Sequence, residues 1–323
     1  MKYLIIGAGG TGGVVGFHMA QAGKDVTLIA RDAHLESIQQ KGLTLQTMWD
    51  ENTKTIPVKA SDMQHYKDRP DVILVCVKGY SLDGIYEFIR RIAKPQTIVI
   101  PILNIYGTGA KMQEKLPGML VTDGCIYVSA NIKEPGVILQ HGKILRIFFG
   151  VHQKEEKCQL LEQIQKDFRD SAIDGILSEQ IQRDALEKFS YVSPIGAAGL
   201  YLNATAGDFQ KEGKARELFC TMIREIVALA MAMGFPFDKD MVSVNLQMLS
   251  NLPPEATTSM QRDVMAHRPS EVDGLVYEVV RMAHRYQVPV PAYEKVAQKL
   301  QGEIMCERNS HTEGNVEIKR EEK

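Results

Sequence analysis

The chain has 323 residues, of which 44% are hydrophobic and 24% charged, and its formal net charge is −2. This length and composition are ordinary for a globular protein with more than one domain. The small net charge gives no support for binding to nucleic acid or to a membrane surface. We find neither an apolar run of the roughly 20 residues that a membrane helix needs nor a signal-peptide pattern. The five scattered cysteines predict reduced thiols, a cytoplasmic location and no metal site.

The N-terminal stretch carries the most informative pattern. An apolar strand, Tyr3–Ile6, precedes a glycine-rich turn, which is followed by a helical pattern that ends at Gly23 and by a second strand, Asp25–Ala30. This is the position of the G-x-G-x-x-G fingerprint of dinucleotide-binding domains. The residues of the turn are Gly7, Ala8, Gly9, Gly10, Thr11 and Gly12. Their N–H groups and the helix N-terminus suit phosphates; a glycine-rich turn without a ligand is the alternative.

The residue after the second strand indicates the form of the cofactor. Enzymes that prefer the unphosphorylated dinucleotide carry Asp or Glu at this point, to bond the ribose hydroxyls. Here the residue is Arg31, followed by Asp32. Because a guanidinium suits a 2′-phosphate, the sequence favours NADP(H). A solvated loop cation is the other interpretation.

Strand and helix patterns alternate as far as Leu177. Strands are predicted at Leu43–Val58 (short runs), Asp71–Val77, Thr97–Ile100, Leu120–Val121, Cys125–Ala130 and Ala172–Leu177, and helices at His34–Lys41, around Tyr86–Ile92 and at Glu155–Phe168. Two apolar runs, Val137–Leu139 and Ile144–Phe149, resemble a hairpin pair. Nearly continuous apolar strands predict a mostly parallel sheet covered on both faces. Lys78 and Asn104 follow two such strands, where ligands of these sheets bind.

From about Ser178 the pattern is helical throughout. The predicted helices are Ile181–Leu202, Arg216–Met233, Asp238–Leu249, Ser270–Tyr286 and Tyr293–Met305. We therefore predict a sheet domain over residues 1–177, an all-helical domain over residues 178–305, and a charged, poorly ordered tail over residues 306–323.

One lysine of the second half lies on an apolar helical stripe. Lys188 shares this stripe with Ala185, Phe189 and Val192. Such a lysine extends to the surface, forms an ion pair, or acts in chemistry. The functional interpretation is a general acid, because a carbonyl that accepts hydride also needs a proton.

Two further polar residues lie near the starts of helices. Ser259 precedes a helical turn, and Glu271 lies in the first turn of a helix that Ser270 and Asp273 would cap. Each has a simple structural interpretation, since Ser is common in loops and an acid suits a helix N-terminus.

Taken together, these residues resemble the ketopantoate reductase (2-dehydropantoate 2-reductase) family over almost the whole chain. The matching segments, in chain order, are GAGGTGG, Arg31, VCVKGY with Lys78, ILNIYG with Asn104, EPGVILQHG with Gly136, LEKF with Lys188, TTSMQRD with Ser259 and RPSEVDG with Glu271.

The resemblance implies an α/β fold: an N-terminal Rossmann-type doubly wound parallel sheet and an all-helical C-terminal domain like that of 6-phosphogluconate dehydrogenase. It also implies NADPH-dependent reduction of the 2-oxo acid ketopantoate to pantoate, in pantothenate biosynthesis. By analogy the glycine turn and Arg31 hold the cofactor phosphates, Lys78 lies beside the cofactor, and Ala130 contacts the cofactor through its backbone.

The resemblance also implies the catalytic set, which is Lys188, Asn104 and Glu271. Asn104 would lie between nicotinamide and substrate, Lys188 would donate the proton in the cleft between the domains, and Glu271 would contact the nicotinamide end of the cofactor. Ser259 would contact the carboxylate or hydroxyl of the substrate.

The departures from the family pattern lie around the substrate. Well-studied members carry substrate-binding asparagines four, eight and eighteen residues after the catalytic lysine, and here those positions are Val192, Gly196 and Ala206. Ser193 and Asn203 could substitute only with a shift of the helix register. Losing such hydrogen bonds can redirect specificity.

Two other functions therefore stay open. One is a reductase of a different 2-oxo acid on the same scaffold, and the other is an NADP-binding sensor without turnover. The sequence does not determine the oligomeric state, and helical C-terminal domains of this kind often pair, which allows a homodimer.

Overall fold

The computed structural model describes residues 1–153 and 156–302, which divide into two compact units. The first unit is Met1–Ala185, and the second begins at Leu186. This division falls inside a helix, a few residues after the predicted limit at Leu177, and the domain limits stay a prediction. The predicted tail, residues 306–323, lies outside the described residues.

The first unit contains the strands and the first five helices. The strands are β1 (Lys2–Ile6), β2 (Asp25–Ile29), β3 (Leu43–Thr47), β4 (Thr53–Ile56), β5 (Lys59–Ser61), β6 (Val72–Val75), β7 (Ile98–Pro101), β8 (Leu120–Val121), β9 (Asp123–Tyr127), β10 (Ala130–Glu134), β11 (Val137–Gln140), β12 (Arg146–Gly150) and β13 (Asp174–Leu177). The helices are α1 (Gly10–Gln21), α2 (Asp32–Lys41), α3 (Tyr86–Ile92), α4 (Thr108–Lys115) and α5 (Gln159–Asp170), with 3₁₀ turns at Gly79–Ser81 and Asp83–Ile85.

The second unit is helical. Its elements are α6 (Ile181–Leu202, which begins in the first unit), α7 (Ala206–Gln210), α8 (Lys214–Ala232), α9 (Met241–Ser250), α10 (Ser259–Met265), a π-helical segment (Asp273–Tyr277), α11 (Glu278–Tyr286) and α12 (residues 291–302). The predicted fold class, a parallel sheet with helices followed by a helical domain, is confirmed.

The main sheet has the strand order β5-β2-β1-β6-β7-β8, and each neighbouring pair is parallel. Successive side chains of the central strand β1 point alternately into two apolar cores, one on each face of the sheet. Tyr3 and Ile5 pack into one core, whereas Leu4 and Ile6 pack into the other. Because both faces are covered, the strand needs no polar positions, which explains the continuous apolar run in the sequence.

The predicted hairpin of Val137–Leu139 with Ile144–Phe149 is wrong. The first run forms β11, which pairs antiparallel with β10 and parallel with β3. The second forms β12, which pairs with β9 and β13 in a separate sheet. The partner of β11 in the actual hairpin, β10, is mostly exposed and polar, so its strand pattern is not visible in the sequence.

A buried carboxylate joins the N-terminal strand to α5. The side chain of Asp167 is 8% exposed, and its Oδ2 accepts a hydrogen bond from the Tyr3 hydroxyl at 2.6 Å. Its Oδ1 accepts from Lys24 Nζ at 2.9 Å and from the Gln163 amide at 3.1 Å. Burial opposes ionisation, but the hydrogen bonds outweigh it and lower the pKa of Asp167. Lys24 also reaches the more exposed Asp170 at 3.1 Å.

This network predicts unequal stability effects for the two carboxylates bound by Lys24. We expect Asp167→Asn to lower the free energy of unfolding by about 1.5–3 kcal/mol, because it removes a charged acceptor of three hydrogen bonds. The control Asp170→Asn should cost less than about 1 kcal/mol, since that pair is exposed. Urea unfolding of both variants near neutral pH measures the difference.

The pH dependence of that difference follows from the lowered pKa. The ionised Asp167 contributes its full share to the free energy of unfolding above the ordinary aspartate pKa of about 3.9. This contribution is lost as the pH falls through the lower pKa that Asp167 has in the folded protein. The difference in the free energy of unfolding between the wild type and Asp167→Asn should therefore become smaller in acid. Equal effects of the two substitutions at neutral pH would contradict the assignment.

Candidate functional site

The glycine turn closes the space between β1 and α1 and leaves one position open. Gly7 has a φ of +103°, and a Cβ there would lie 3.0 Å from the Cys76 carbonyl group. A Cβ on Gly12 would lie 2.0 Å from the Gly7 oxygen, so helix and strand approach too closely for any side chain. A Cβ on Gly9 would meet nothing within 4 Å. The fold thus requires Gly7 and Gly12, whereas Gly9 exposes backbone that a phosphate could approach.

The sheet order brings several predicted residues to one edge. The strands β2 and β6 lie on either side of β1, and β7 lies next to β6. These three strands are followed in the chain by Arg31, Lys78 and Asn104, respectively. Since these strands are parallel, their carboxyl ends meet at the edge that holds the glycine turn. The Arg31 side chain is 90% exposed, and its Nε lies 3.9 Å from Asp32 Oδ2. Lys78 and Asn104 are half-buried.

The structure also brings Ala130 to the glycine turn. A Cβ on Gly10 would lie 2.3 Å from the Ala130 carbonyl oxygen, so the first residue of β10 touches the start of α1. The predicted backbone position of Ala130 is therefore adjacent to the predicted phosphate site.

His34 supports this arrangement and was not singled out from the sequence. Its Nε2 donates to the Ala8 carbonyl at 2.8 Å, and its Nδ1 accepts from the Gly136 N–H at 2.9 Å. The ring proton therefore sits on Nε2. Burial lowers the pKa of His34 against the opposing effect of the Ala8 bond, which favours the neutral ring. His34 thus ties the glycine turn to the β10–β11 turn, a contact between positions far apart in the chain.

A second unanticipated group lies after the loop that carries Asn104. Asp123 is 6% exposed, and its Oδ1 accepts from the Gly109 N–H at 2.9 Å in the first turn of α4. His152 Nδ1 lies 3.3 Å from Asp123 Oδ2. Burial raises the pKa of Asp123, although the charge interaction with His152 and the Gly109 bond oppose it. Asp123 thus holds the start of α4, which follows the loop that carries Asn104.

In the second unit, two of the predicted residues are almost completely buried. Lys188 is 6% exposed and Glu271 is 3% exposed. Ser259 is half-buried at the first position of α10. Charged side chains are seldom buried unless they are paired or functional.

Contacts within the second unit join α6, which carries Lys188, to the elements of the other two residues. Met260, next to Ser259, packs against Gly196 of α6. Ser193 of α6 donates to the Leu275 carbonyl at 2.6 Å, in the π-helical segment that follows Glu271.

The side chain of Asp273, which was predicted to cap this helix together with Ser270, binds Arg281 instead. Asp273 Oδ1 accepts from Arg281 Nη1 at 2.9 Å, and its Oδ2 accepts from Nη2 at 3.0 Å. The carboxylate is therefore bound by a side chain eight residues further along the helix.

The structure identifies what occupies the positions of the family asparagines. Val192 is half-buried, Gly196 is buried, and Ala206 is 2% exposed at the start of α7. Ser193 does not replace them, because its hydroxyl lies between the Leu275 carbonyl and the Tyr293 hydroxyl, at 2.6 and 2.5 Å.

Asn203 does not replace them either. It lies just after the last residue of α6, exposed and with a φ of +51°. Asparagine adopts this left-handed conformation more readily than most residues, which suits a helix end.

Within residues 1–153 and 156–302, no three His, Cys, Asp or Glu side chains are grouped so that they could hold a metal ion. No helix in this part of the chain combines the length and the apolar character needed to span a bilayer.

Comparison with known proteins identifies relatives over nearly the whole chain. A 2-dehydropantoate 2-reductase of Pyrococcus abyssi (strain GE5 / Orsay) is 29% identical over 294 residues, which is 90% of this chain and 94% of the relative.

Solved structures show the same fold at lower identity. A dimeric ketopantoate reductase from Staphylococcus aureus has a TM-score of 0.78 at 23% identity, covering 94% of this chain and 98% of that one. A D-mandelate dehydrogenase solved with NADH and anilino(oxo)acetate has a TM-score of 0.83 at 19% identity, with the same coverage of 94% and 98%.

Two family models match in succession. Residues 3–154 match the model described as "Ketopantoate reductase PanE/ApbA", and residues 180–303 match "Ketopantoate reductase PanE/ApbA C terminal". The matches span both units and most of the chain. The protein therefore belongs to the ketopantoate reductase PanE/ApbA family, whose members are oxidoreductases acting on CH–OH groups.

Proposed function

We propose that this protein is an NADP(H)-dependent reductase that converts a 2-oxo acid to a 2-hydroxy acid. The observation that carries the proposal is the open backbone at Gly9, beside Arg31, Lys78 and Asn104 on one sheet edge. The family and the NADH in a neighbouring structure support it. The exposed guanidinium of Arg31 favours the 2′-phosphorylated form of the cofactor.

The reaction needs a hydride and a proton. A bound nicotinamide supplies the hydride to the keto carbon. In our proposal the ammonium group of Lys188 holds the carbonyl oxygen, stabilises its developing negative charge and gives it a proton. Asn104 orients the substrate, Ser259 contacts its carboxylate or hydroxyl, and Glu271 contacts the nicotinamide end of the cofactor. Lys78 and the Ala130 backbone complete the cofactor site.

Two substrates are candidates. Ketopantoate, reduced to pantoate for pantothenate synthesis, is supported by the names of the relatives. A different 2-oxo acid is favoured by the apolar residues Val192, Gly196 and Ala206 at the substrate positions. The mandelate dehydrogenase neighbour supports this second candidate, because its acid ligand carries an aromatic group.

We also propose that the protein forms a homodimer and is located in the cytoplasm. The dimeric Staphylococcus neighbour supports a homodimer. The family supports a soluble enzyme acting on small molecules in the cytoplasm.

The glycine turn predicts opposite effects for two substitutions. Gly9→Ala should leave the melting temperature unchanged, because the added Cβ meets no other atom within 4 Å. It should weaken NADPH binding by about tenfold or more, because the Cβ occupies the space through which the cofactor phosphate approaches the backbone. Gly12→Ala should destabilise the fold itself. Gly84→Ala, whose Cβ also meets nothing within 4 Å, is the control. Thermal melting and NADPH titration distinguish them, and wild-type affinity in Gly9→Ala would exclude this turn as the phosphate site.

Arg31 predicts a change in cofactor preference. Arg31→Ala should raise the KM for NADPH by about 10–100-fold, because it removes a charged partner of the 2′-phosphate. The KM for NADH should change little. The control is Lys41→Ala, which removes an exposed cation from the last residue of α2, the helix that begins directly after Arg31. Steady-state kinetics with both cofactors are the measurement, and an equal change for the two would remove Arg31 from the phosphate site.

Lys188 predicts a loss of turnover without a loss of cofactor binding. Lys188→Ala should lower kcat by about 10²–10⁴-fold. Lys188→Arg should also be slow, since a guanidinium does not release its proton. The control is Lys239→Ala, an exposed lysine that pairs with Glu187 at 2.9 Å. Full activity in Lys188→Ala would refute the proton-donor role. NADPH binding without oxidation by any 2-oxo acid in the wild type would instead support the sensor.

A further inference from the structure

The Ala8–Gly9 peptide unit lies in the middle of the glycine turn, and a histidine side chain holds it. The Ala8 carbonyl accepts the hydrogen bond from His34 Nε2 at 2.8 Å. This peptide bond is trans, so its C=O and N–H point in opposite directions within one rigid plane. A side chain that fixes the Ala8 carbonyl therefore also fixes the direction of the Gly9 N–H, at the position where a Cβ would meet nothing within 4 Å.

The preceding part of the turn is bonded to the same segment of the chain. The N–H groups of Gly7 and Ala8 both donate to the Ile29 carbonyl at the end of β2, at 3.2 and 3.1 Å. His34 belongs to α2, the helix that follows β2. The β2–α2 segment thus holds Ala8 through both its N–H and its C=O. The N–H groups that follow, from Gly9 into the first turn of α1, are the donors that suit a phosphate.

A second bond fixes the orientation of the His34 ring. Its Nδ1 accepts from the Gly136 N–H at 2.9 Å, in the turn between β10 and β11. Nδ1 therefore carries no proton, and Nε2 is the nitrogen that donates to Ala8. Burial lowers the pKa of the ring, which favours this neutral form. The Gly136 bond thus orients the imidazole, and the Ala8 bond orients the glycine turn.

A second side chain of α2 also joins this helix to the β10–β11 turn. Ser37, three residues after His34 and on the same helix face, donates to the Pro135 carbonyl at 2.9 Å. A Cβ on Gly136 would lie 2.3 Å from Ser37 Oγ, so helix and turn are in direct contact. His34 adds to this link the bond to Ala8, which Ser37 does not make. The Ala8 bond is therefore the part of the His34 geometry that acts on the predicted phosphate site.

We propose that His34 is a positioning residue for the cofactor, which holds the Ala8 carbonyl so that the Gly9 N–H is aimed at the pyrophosphate. The inference rests on the proposed function, because that function assigns the glycine turn to the cofactor. The pyrophosphate is common to NADPH and NADH, whereas the 2′-phosphate belongs to NADPH alone. His34 therefore sets the affinity for both cofactors, and Arg31 sets the difference between them.

Two amide substitutions separate the two bonds of the ring. Glutamine carries its amide nitrogen as many bonds from Cα as the histidine Nε2, so His34→Gln can still donate to Ala8. Asparagine carries its oxygen as many bonds from Cα as Nδ1, so His34→Asn can still accept from Gly136 but does not reach Ala8. We expect His34→Asn to raise the Kd of both NADPH and NADH by about tenfold or more, because the Ala8 carbonyl loses its donor. His34→Gln should stay within about threefold of the wild type.

Calorimetric titration of the full-length protein with each cofactor, together with thermal melting, is the measurement. The ratio of the two Kd values should be unchanged in His34→Asn, whereas Arg31→Ala should change it. The structural control is Ser37→Ala, which removes the bond to Pro135 and should leave both Kd values at the wild-type level. A loss of melting temperature through a weaker contact between α2 and the β10–β11 turn is thereby measured separately from cofactor binding.

Several results would overturn the inference. They are wild-type affinity in a folded His34→Asn, an equal loss of affinity in His34→Asn and His34→Gln or Ser37→Ala, and a loss for NADPH alone. If His34→Asn does not fold, nitrogen NMR of the His34 ring in the wild type decides. A neutral ring protonated on Nε2 that persists when NADP⁺ binds would support the positioning role, and a ring protonated on Nδ1 in the complex would exclude it.

The outcomes also separate this inference from the proposed function. If the wild type binds neither cofactor, the proposed function and the positioning role fail together. If it binds a cofactor but reduces no 2-oxo acid, the reductase proposal fails, and the Kd values of the variants still decide the role of His34. If turnover is normal and His34→Asn binds both cofactors as the wild type does, only the positioning role is wrong.

Discussion

The parallel pairing of β1 with β2 on one side and β6 on the other determines the geometry of the first unit. Because the strands run in the same direction, every connection that leaves a carboxyl end begins at one edge of the sheet. The glycine turn, Arg31, Lys78 and Asn104 are four such connections. At Gly12, the approach of α1 to the Gly7 oxygen excludes even a methyl group, so this edge is set by backbone contacts.

Around that edge, polar side chains act as supports. His34 bonds the Ala8 carbonyl and the Gly136 N–H, and Asp123 bonds the start of α4 after the Asn104 loop. Asp123 is buried and His34 is half-buried, and in each case burial disfavours the charged form. A neutral His34 can bridge a carbonyl and an N–H at once, which an imidazolium with two donors could not do. The loops at this edge are therefore held by specific hydrogen bonds.

The second unit contains two charged side chains that are almost completely buried, Lys188 and Glu271. Burying Lys188 and Glu271 is costly unless each finds a compensating interaction, and functional sites are where such costs are common. The same helix then carries Val192 and Gly196, with Met260 packed against Gly196.

The sequence by itself determined the strand–turn–helix unit at the N-terminus, the alternation that makes a parallel sheet, and the helical second half. Helical period, continuous apolar strands and glycine spacing are local properties, so they can be interpreted without coordinates. It also singled out Arg31, Lys78, Asn104 and Lys188 as candidates by their positions relative to those elements. Only the tertiary structure decided which strands pair: β11 joins the polar β10 instead of β12, because pairing depends on partners elsewhere in the chain. It likewise brought Met260 to Gly196, a contact between residues far apart in sequence that no local pattern encodes.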